Sequence, residues 1–513
     1  MKTLTLHPTD NVVIAATPLP AGTNLDIKEL GVKGVQCHAA VDRGHKIAIA
    51  PIADGGAIRK LGQTIGIATR EISAGDWVHD HNIRNPSAQE IQATASPSAA
   101  ARGVAATGLS PGALHFKGYR RPRGRAATRN YIGILTTVNC SATVARGIAD
   151  TFRAPGALDR YRNVDGVVAF THATGCGMQA GSAGHAILQR TIEGYLAHPN
   201  FAAVLLVGLG CEVNRGGKLQ LPDGLDADRV GLFDIQDVGG TRKAIDEGVR
   251  RVRDYLELAD TARREDIPAS ELVVGLQCGG SDAFSALTAN PALGIAADLL
   301  VAHGGTAILS ETPEVAAWAD QLCARAVSDD VAQKMREKVK WWEDYAAANG
   351  ASLDGNPSPG NRAGGLSTIA EKALGAIAKG GHSALADVCG YAERISGRGL
   401  IFMDSPGFDP VSATGQIASG ANLICFTTGR GAVFGAKPAP SLKLATNSEI
   451  FARMPDDMDI DCGGILDGRT DLAALGRDIF ARILETASGA RTCSERLDIG
   501  ENEFAPWHLG AVL

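Results

Sequence analysis

Residues 271–294 read ELVVGLQCGGSDAFSALTANPALG. The run Leu272–Leu276 is short and apolar, the pattern of a strand buried on both faces of a parallel sheet. Cys278 follows the run, and Gly279, Gly280, Ser281 and Asp282 come next. Two glycines let the backbone turn or approach a ligand closely. Ser281 or Asp282 can cap the helix expected to follow. A thiol, a carboxylate and free backbone N–H groups are thereby placed where open α/β sheets keep their ligands, beyond the carboxyl ends of the strands.

The same arrangement recurs along the chain from His115 onward. Apolar runs at Tyr131–Thr136, Gly166–Phe170, Ala203–Val207, Val230–Phe233, Thr306–Leu309, Ser383–Val388, Leu400–Met403 and Leu423–Phe426 alternate with helical patterns. This alternation predicts a large α/β region with a parallel sheet. Many runs end on reactive side chains: Cys140, then His172 and Cys176, Cys211 and Glu212, Glu311, Asp404, and Thr428 to Arg430. A buried free cysteine is a common small hydrophobe, so any single case has a packing explanation. Their recurrence at one topological place argues for a site.

Upstream, residues 1–84 predict a small β-rich domain, with short apolar runs separated by Gly, Asp and Pro turn signals. His45 and Lys46 enter one run. His79 and His81 end the unit, and on a strand an i, i+2 spacing puts both rings on one face. Residues 85–112, rich in Ser, Ala, Pro and Gly, read as a linker. A polar stretch at residues 257–267 divides the remainder into two expected lobes, 113–262 and 263–513.

With 513 residues, a net charge of -6 and a pI near 6.1, the chain has no nucleic-acid footprint. No apolar run approaches the roughly 18 residues of a membrane span. The N-terminus lacks the apolar core of a signal peptide, and the ten cysteines contain no CxxC pair. A cytoplasmic protein with reduced thiols is therefore expected. No dinucleotide fingerprint, Walker A motif or GxSxG elbow occurs in the right context. What remains is metal-assisted lyase chemistry, with thiolates and imidazoles holding iron or zinc. Arg430, Lys443 and Lys46 would then receive a carboxylate substrate.

THATGCG, GLGCE, TANPALG, NPSPGNRAGG, EKALGAIAKGG, TTGRGAVFG and LATNSE occur in that order. Through them the chain resembles the altronate and galactarate dehydratase family. Residues 1–84 resemble that family's small SAF-like, β-clip domain, and the rest its Rossmann-like region. The resemblance implies dehydration of a sugar acid to a 2-keto-3-deoxy acid, assisted by a divalent metal. Iron(II) is expected, with manganese or another divalent ion, or an iron–sulfur cluster, as alternatives. His172, Cys176, Cys211 and Cys278 are the expected metal ligands, with Glu311 a possible oxygen donor. His45, Lys46, His172, Asp282 and Glu311 are the candidate catalytic groups. His79, His81, Ser281, Asn290, Asn361, Arg430 and Lys443 are the candidate substrate contacts. The pairs His45/Lys46 and His79/His81 would sit on a lid that closes the site.

HDHN and TCSER look more like the altronate branch, whereas SELVVGLQCGGSDAF and EKALGAIAKGG look more like the galactarate branch. Altronate is favoured. Galactarate has a second carboxylate and would need another cation, for which Arg129, Arg362 and Lys443 are candidates. A sulfolactate sulfo-lyase-like reaction is a further alternative. The expected partners are a small-molecule substrate and, since twofold dimers are the commonest oligomers, a second copy of the chain. No nucleic-acid or membrane partner is expected.

Overall fold

In the computed structural model, which describes residues 2–94, 114–121, 125–215, 219 and 227–510, the expected Leu272–Leu276 strand is Val273–Cys278. All six of its residues are buried. It is the central strand of a seven-stranded parallel sheet. The order across the sheet is Leu385–Cys389, Gly399–Met403, Thr306–Leu309, Val273–Cys278, Leu423–Thr428, Ser441–Ala445 and Ile460–Asp461. Parallel pairing with helical crossovers covers both faces, which is why these strands read as unbroken apolar runs.

A second parallel sheet has the order Gly166–Phe170, Tyr131–Thr136, Phe201–Gly208, Val230–Asp234. The two sheets share one core: Leu135 and Phe170 of the first meet Val273, Ile308 and Phe426 of the second in a single apolar cluster. Helices Ala183–Leu196 and Asp409–Ala418 contribute to that cluster. An antiparallel pair, His115–Gly118 with Glu265–Pro268, joins the segments that enter and leave the four-stranded sheet.

The N-terminal unit is β-rich as expected. Its four-stranded antiparallel sheet holds Thr3–Leu4, Val12–Ala15, Lys46–Ala48 and Trp77–Val78. A three-stranded sheet holds Ala57–Lys60, Gln63–Ala68 and Ile83–Arg84. His79 and His81 do not share a strand face, because His79 to Asn82 form a tight turn closed from Asn82 N to His79 O at 3.0 Å. Of the expected linker, Ala88–Thr94 is helical and Ile91 packs into the core of the large sheet; residues 95–113 lie outside the described residues. Among the described residues no helix is long and apolar enough to cross a membrane.

Candidate active site

The carboxyl end of Val273–Cys278 opens into a cavity of about 560 Å³, within the usual range for small-ligand sites. Cys278, Glu314, Lys372 and Asp409 form a polar wall, while Trp342, Tyr345, Asn349, Asn356 and Ser358 line the rest. Cys278 ends the central strand. Glu311 and Glu314 come from the turn and short helix after the neighbouring strand Thr306–Leu309. One ligand atom from each of Cys278, Glu311 and Glu314 lies within 4.8 Å of the others, and no other such trio closes this far among the described residues. Glu311 takes a left-handed backbone conformation with φ 72°. For a non-glycine residue this costs on the order of 1–3 kcal/mol and gathers at functional sites.

Two lysines serve this trio. Lys379 Nζ donates to Cys278 Sγ at 2.9 Å and to Glu311 Oε2 at 3.4 Å. Lys372 Nζ donates to Glu314 Oε1 at 2.7 Å and to Asn356 Oδ1 at 3.0 Å. Both belong to helix Ile369–Ala378 and its C-terminal cap. Their i, i+7 spacing puts them two turns apart on one face. Glu371, next to Lys372, points to a different face.

Burial, reinforced by Glu314, pushes the Glu311 carboxyl up to about 8. Burial also pushes the Cys278 thiol up to about 11, opposed by Lys379. Burial works against the Lys379 charge, but Cys278 and Glu311 outweigh it, so Lys379 stays protonated at neutral pH. Asp409 is pushed up to about 6 by burial and by Glu314. Gly279 makes room for Asp409: a Cβ there would collide with Asp409 Oδ2 and lie 2.5 Å from Phe426 Cζ.

A divalent ion fits this donor set. Glu311 Oε1 and Glu314 Oε2 are buried with no hydrogen-bond partner. Such orphaned buried oxygens are costly, and an ion between them would satisfy both. One sulfur and two carboxylates suit a borderline ion of the first transition row.

The other expected site residues lie elsewhere. The four-ligand set of His172, Cys176, Cys211 and Cys278 does not close around one ion. His172 is buried in the four-stranded lobe with both ring nitrogens engaged: Nε2 donates to Thr136 O at 3.0 Å and Nδ1 lies 3.0 Å from Thr174 Oγ1. Burial holds it neutral, its pKa lowered to about 4. Cys176 and Cys211 are exposed in that same lobe. Asp282 is fully engaged in stapling its loop: it accepts from Phe284 N, Ser285 N, Thr446 Oγ1 and Asn447 Nδ2. It holds a turn, and the following helix starts only at Ala289 with Thr288 as its cap.

The N-terminal unit docks on the segment that flanks the cavity. Lys46 Nζ donates to Gly365 O at 2.7 Å and Glu371 Oε2 at 2.8 Å, and Lys60 Nζ to Glu371 Oε1 at 2.9 Å. His79 Nε2 lies 3.0 Å from Arg362 O, and His45 Nε2 3.4 Å from Ala363 O. His81 is exposed, its ring tilted 41° against Trp77 at 4.9 Å. Asn361 lines the cavity and donates to Ser281 O at 2.9 Å. Asn290 is spent on Thr427 and Gly375, and Lys443 is buried beside Asp457. Arg129 is locked to Glu495 of TCSER, and Arg362 pairs with Asp80. Arg430 is exposed, with its backbone N–H on Gly280 O at 2.9 Å.

Glu314, Lys372, Lys379 and Asp409 are the members of this cluster that reading the strand ends missed. The two-turn lysine spacing in EKALGAIAKGG was the available signal for two of them.

Comparison with known proteins agrees with this architecture. Three family models match in order. The altronate/galactarate dehydratase SAF domain covers residues 1–86. The D-galactarate dehydratase/altronate hydrolase second domain covers residues 118–260. The D-galactarate/altronate dehydratase C-terminal domain covers residues 269–512. The chain belongs to the altronate/galactarate dehydratase family. Galactarate dehydratase (L-threo-forming) of Escherichia coli K12 is 36% identical over 95% of this chain and 92% of its own. Altronate dehydratase of the same organism is 34% identical over 100% of both chains. Altronate dehydratase of Bacillus subtilis 168 is 33% identical over 99% of both.

Proposed function

We propose that this protein is a metal-dependent hydro-lyase that converts a sugar acid, best fitted by D-altronate, to its 2-keto-3-deoxy product. The observation that carries the reading is the pair of donor-less carboxylate oxygens, Glu311 Oε1 and Glu314 Oε2, beside Cys278 at the cavity wall. These three residues would hold the ion, with iron(II) as the best match to the mixed sulfur and oxygen donors. When bound, the ion supplies Lewis-acid polarisation of the substrate's carboxylate end, which makes the adjacent C–H more acidic.

The chain's own groups do the rest. Asp409 faces the cavity across Gly279, and its carboxyl, raised to about 6, is largely ionised at neutral pH. It takes the C2 proton as the C2=C3 bond forms and the C3–O bond breaks; the hydroxyl leaves as water with a proton from solvent, and the enol ketonises. A base with a pKa near the working pH is the efficient choice. Lys372 and Lys379 keep the acidic trio in register and offset its charge. Asn349 and Ser358 offer hydrogen bonds to the hydroxyls of the sugar chain, and Trp342 and Tyr345 exclude water from one side. Among the residues lining the cavity Lys372 is the one cation, and Glu314 already engages it. That supports a substrate with one carboxylate over galactarate, which has two.

The test is a panel of aldonates, aldarates and sulfolactate, offered to metal-loaded protein and assayed for 2-keto acid and sulfite. Keto acid from altronate supports the reading. Sulfite release, or keto acid from galactarate alone, would replace it.

A further inference from the structure

Six of the ten cysteines are buried and Cys389 is half-buried; the three exposed ones are Cys140, Cys176 and Cys211. Free cysteine belongs among the most buried residue types, so three exposed thiols need a reason. They share one place. Each follows one of three adjacent strands of the four-stranded sheet, Tyr131–Thr136, Gly166–Phe170 and Phe201–Gly208.

The three loops are bonded into one surface. Asn139 N donates to Thr174 O at 3.0 Å, Asn214 N to Gly175 O at 3.2 Å, and Asn214 Nδ2 to Thr137 O at 3.0 Å. Gly175 has φ +100°, and a Cβ on it would collide with Thr137 O, so the Cys176 loop lies directly on the Cys140 loop. The nearby alternative ligands face inward. His172 uses both ring nitrogens. Glu212 accepts from Thr137 Oγ1, Leu209 N and Gly210 N. Asp234, at the end of the fourth strand, is engaged by Arg215 Nη2 at 2.9 Å. The three thiols remain exposed on these loops. Asn214 Oδ1, buried at the same junction, has no partner, leaving an acceptor for a hydroxyl or water on a bound group.

Thiolate-only donors select copper(I), zinc or an iron–sulfur cluster. Spacing decides among them. The three sulfurs do not close to within 4.8 Å of one another. A single tetrahedral ion with bonds of about 2.3 Å needs them about 3.8 Å apart. We propose that Cys140, Cys176 and Cys211 hold a four-iron iron–sulfur cluster by three of its irons, with the fourth open to an oxygen ligand. This centre is separate from Cys278, Glu311 and Glu314, and it does not rest on the hydro-lyase reading.

The test uses the full chain, purified without oxygen, supplied with iron(II), iron(III) and sulfide, and desalted. Acid-labile sulfide and the electron paramagnetic resonance of the reduced protein are then measured. The wild type and Cys278→Ser are expected to retain about four sulfides per chain. Cys140→Ser, Cys176→Ser and Cys211→Ser are each expected to lose them with unchanged circular dichroism. A wild type that keeps no sulfide, or binds zinc alone, overturns the proposal. So does retention of sulfide in the triple variant, or equal loss in Cys278→Ser.

Discussion

Glu371→Gln tests how the small domain is held against the helix that carries the active-site lysines. Glu371 is 1% exposed and accepts from Lys46 Nζ, Lys60 Nζ and Ser367 N. Burial alone would raise its carboxyl, but the two ammonium groups hold it down at about 2 from an ordinary 4.5. A drop of roughly 2.5 units corresponds to about 3 kcal/mol. Removing one member of a buried ion pair costs about 3–5 kcal/mol by itself, so the two routes agree. Glutamine keeps the volume, loses the charge, and leaves two buried ammonium groups facing each other. Burial already lowers Lys46 to about 8 with Glu371 present. Amide exchange in Lys46–Ala48 is the assay. A 3 kcal/mol loss predicts roughly hundredfold faster exchange through domain opening. The sign with pH is also set. The carboxylate's folded value lies below its unfolded one, so its contribution is complete above about 4.5 and is lost as pH falls toward about 2. The variant lacks that slope. Exchange within twofold of wild type, with the same acid profile, would refute the reasoning.

Asp409→Asn removes the proposed base; turnover is expected to fall by about 10²–10⁴-fold. In the wild type the rate should decline as pH drops through about 6 and the carboxyl protonates, and the variant's pH–rate profile should lack that limb. Gly279→Ala drives a Cβ into Asp409 and Phe426; a loss of about 1–3 kcal/mol should appear as a lower melting temperature together with lower turnover. Arg129→Ala leaves Glu495 buried without its guanidinium. It should cost about 3–5 kcal/mol of stability in chemical denaturation, without a selective rise in KM, since Arg129 is spent on packing.

The parallel strands were legible because burial on both faces erases polar alternation and leaves plain apolar runs. Ser441–Ala445 was missed because Lys443 interrupts its pattern, although Lys443 is 0% exposed in the structure. Ile460–Asp461 is only two residues long. Cys278 and Glu311 could be picked out from their places at strand ends. Glu314 and Asp409 could not, because helix packing decides which face of a helix meets a cavity; Lys372 and Lys379 were marked only by their two-turn spacing. His45, Lys46 and His79 read as site groups because histidine and lysine at the ends of strands look reactive. Their side chains instead contact Ala363, Gly365, Glu371 and Arg362, partners about 280–325 residues away that spacing cannot reveal.

The central claim is that Cys278, Glu311 and Glu314 gather an ion that lets a sugar acid shed water. Its most direct test strips the protein of metal, reloads it with iron(II) under anaerobic conditions, and follows 2-keto acid release from D-altronate in wild type and Glu314→Gln. Turnover that vanishes on stripping, returns with iron in the wild type and stays absent in the variant is the predicted result. Undiminished turnover by the stripped wild type, or full recovery by Glu314→Gln, would contradict it.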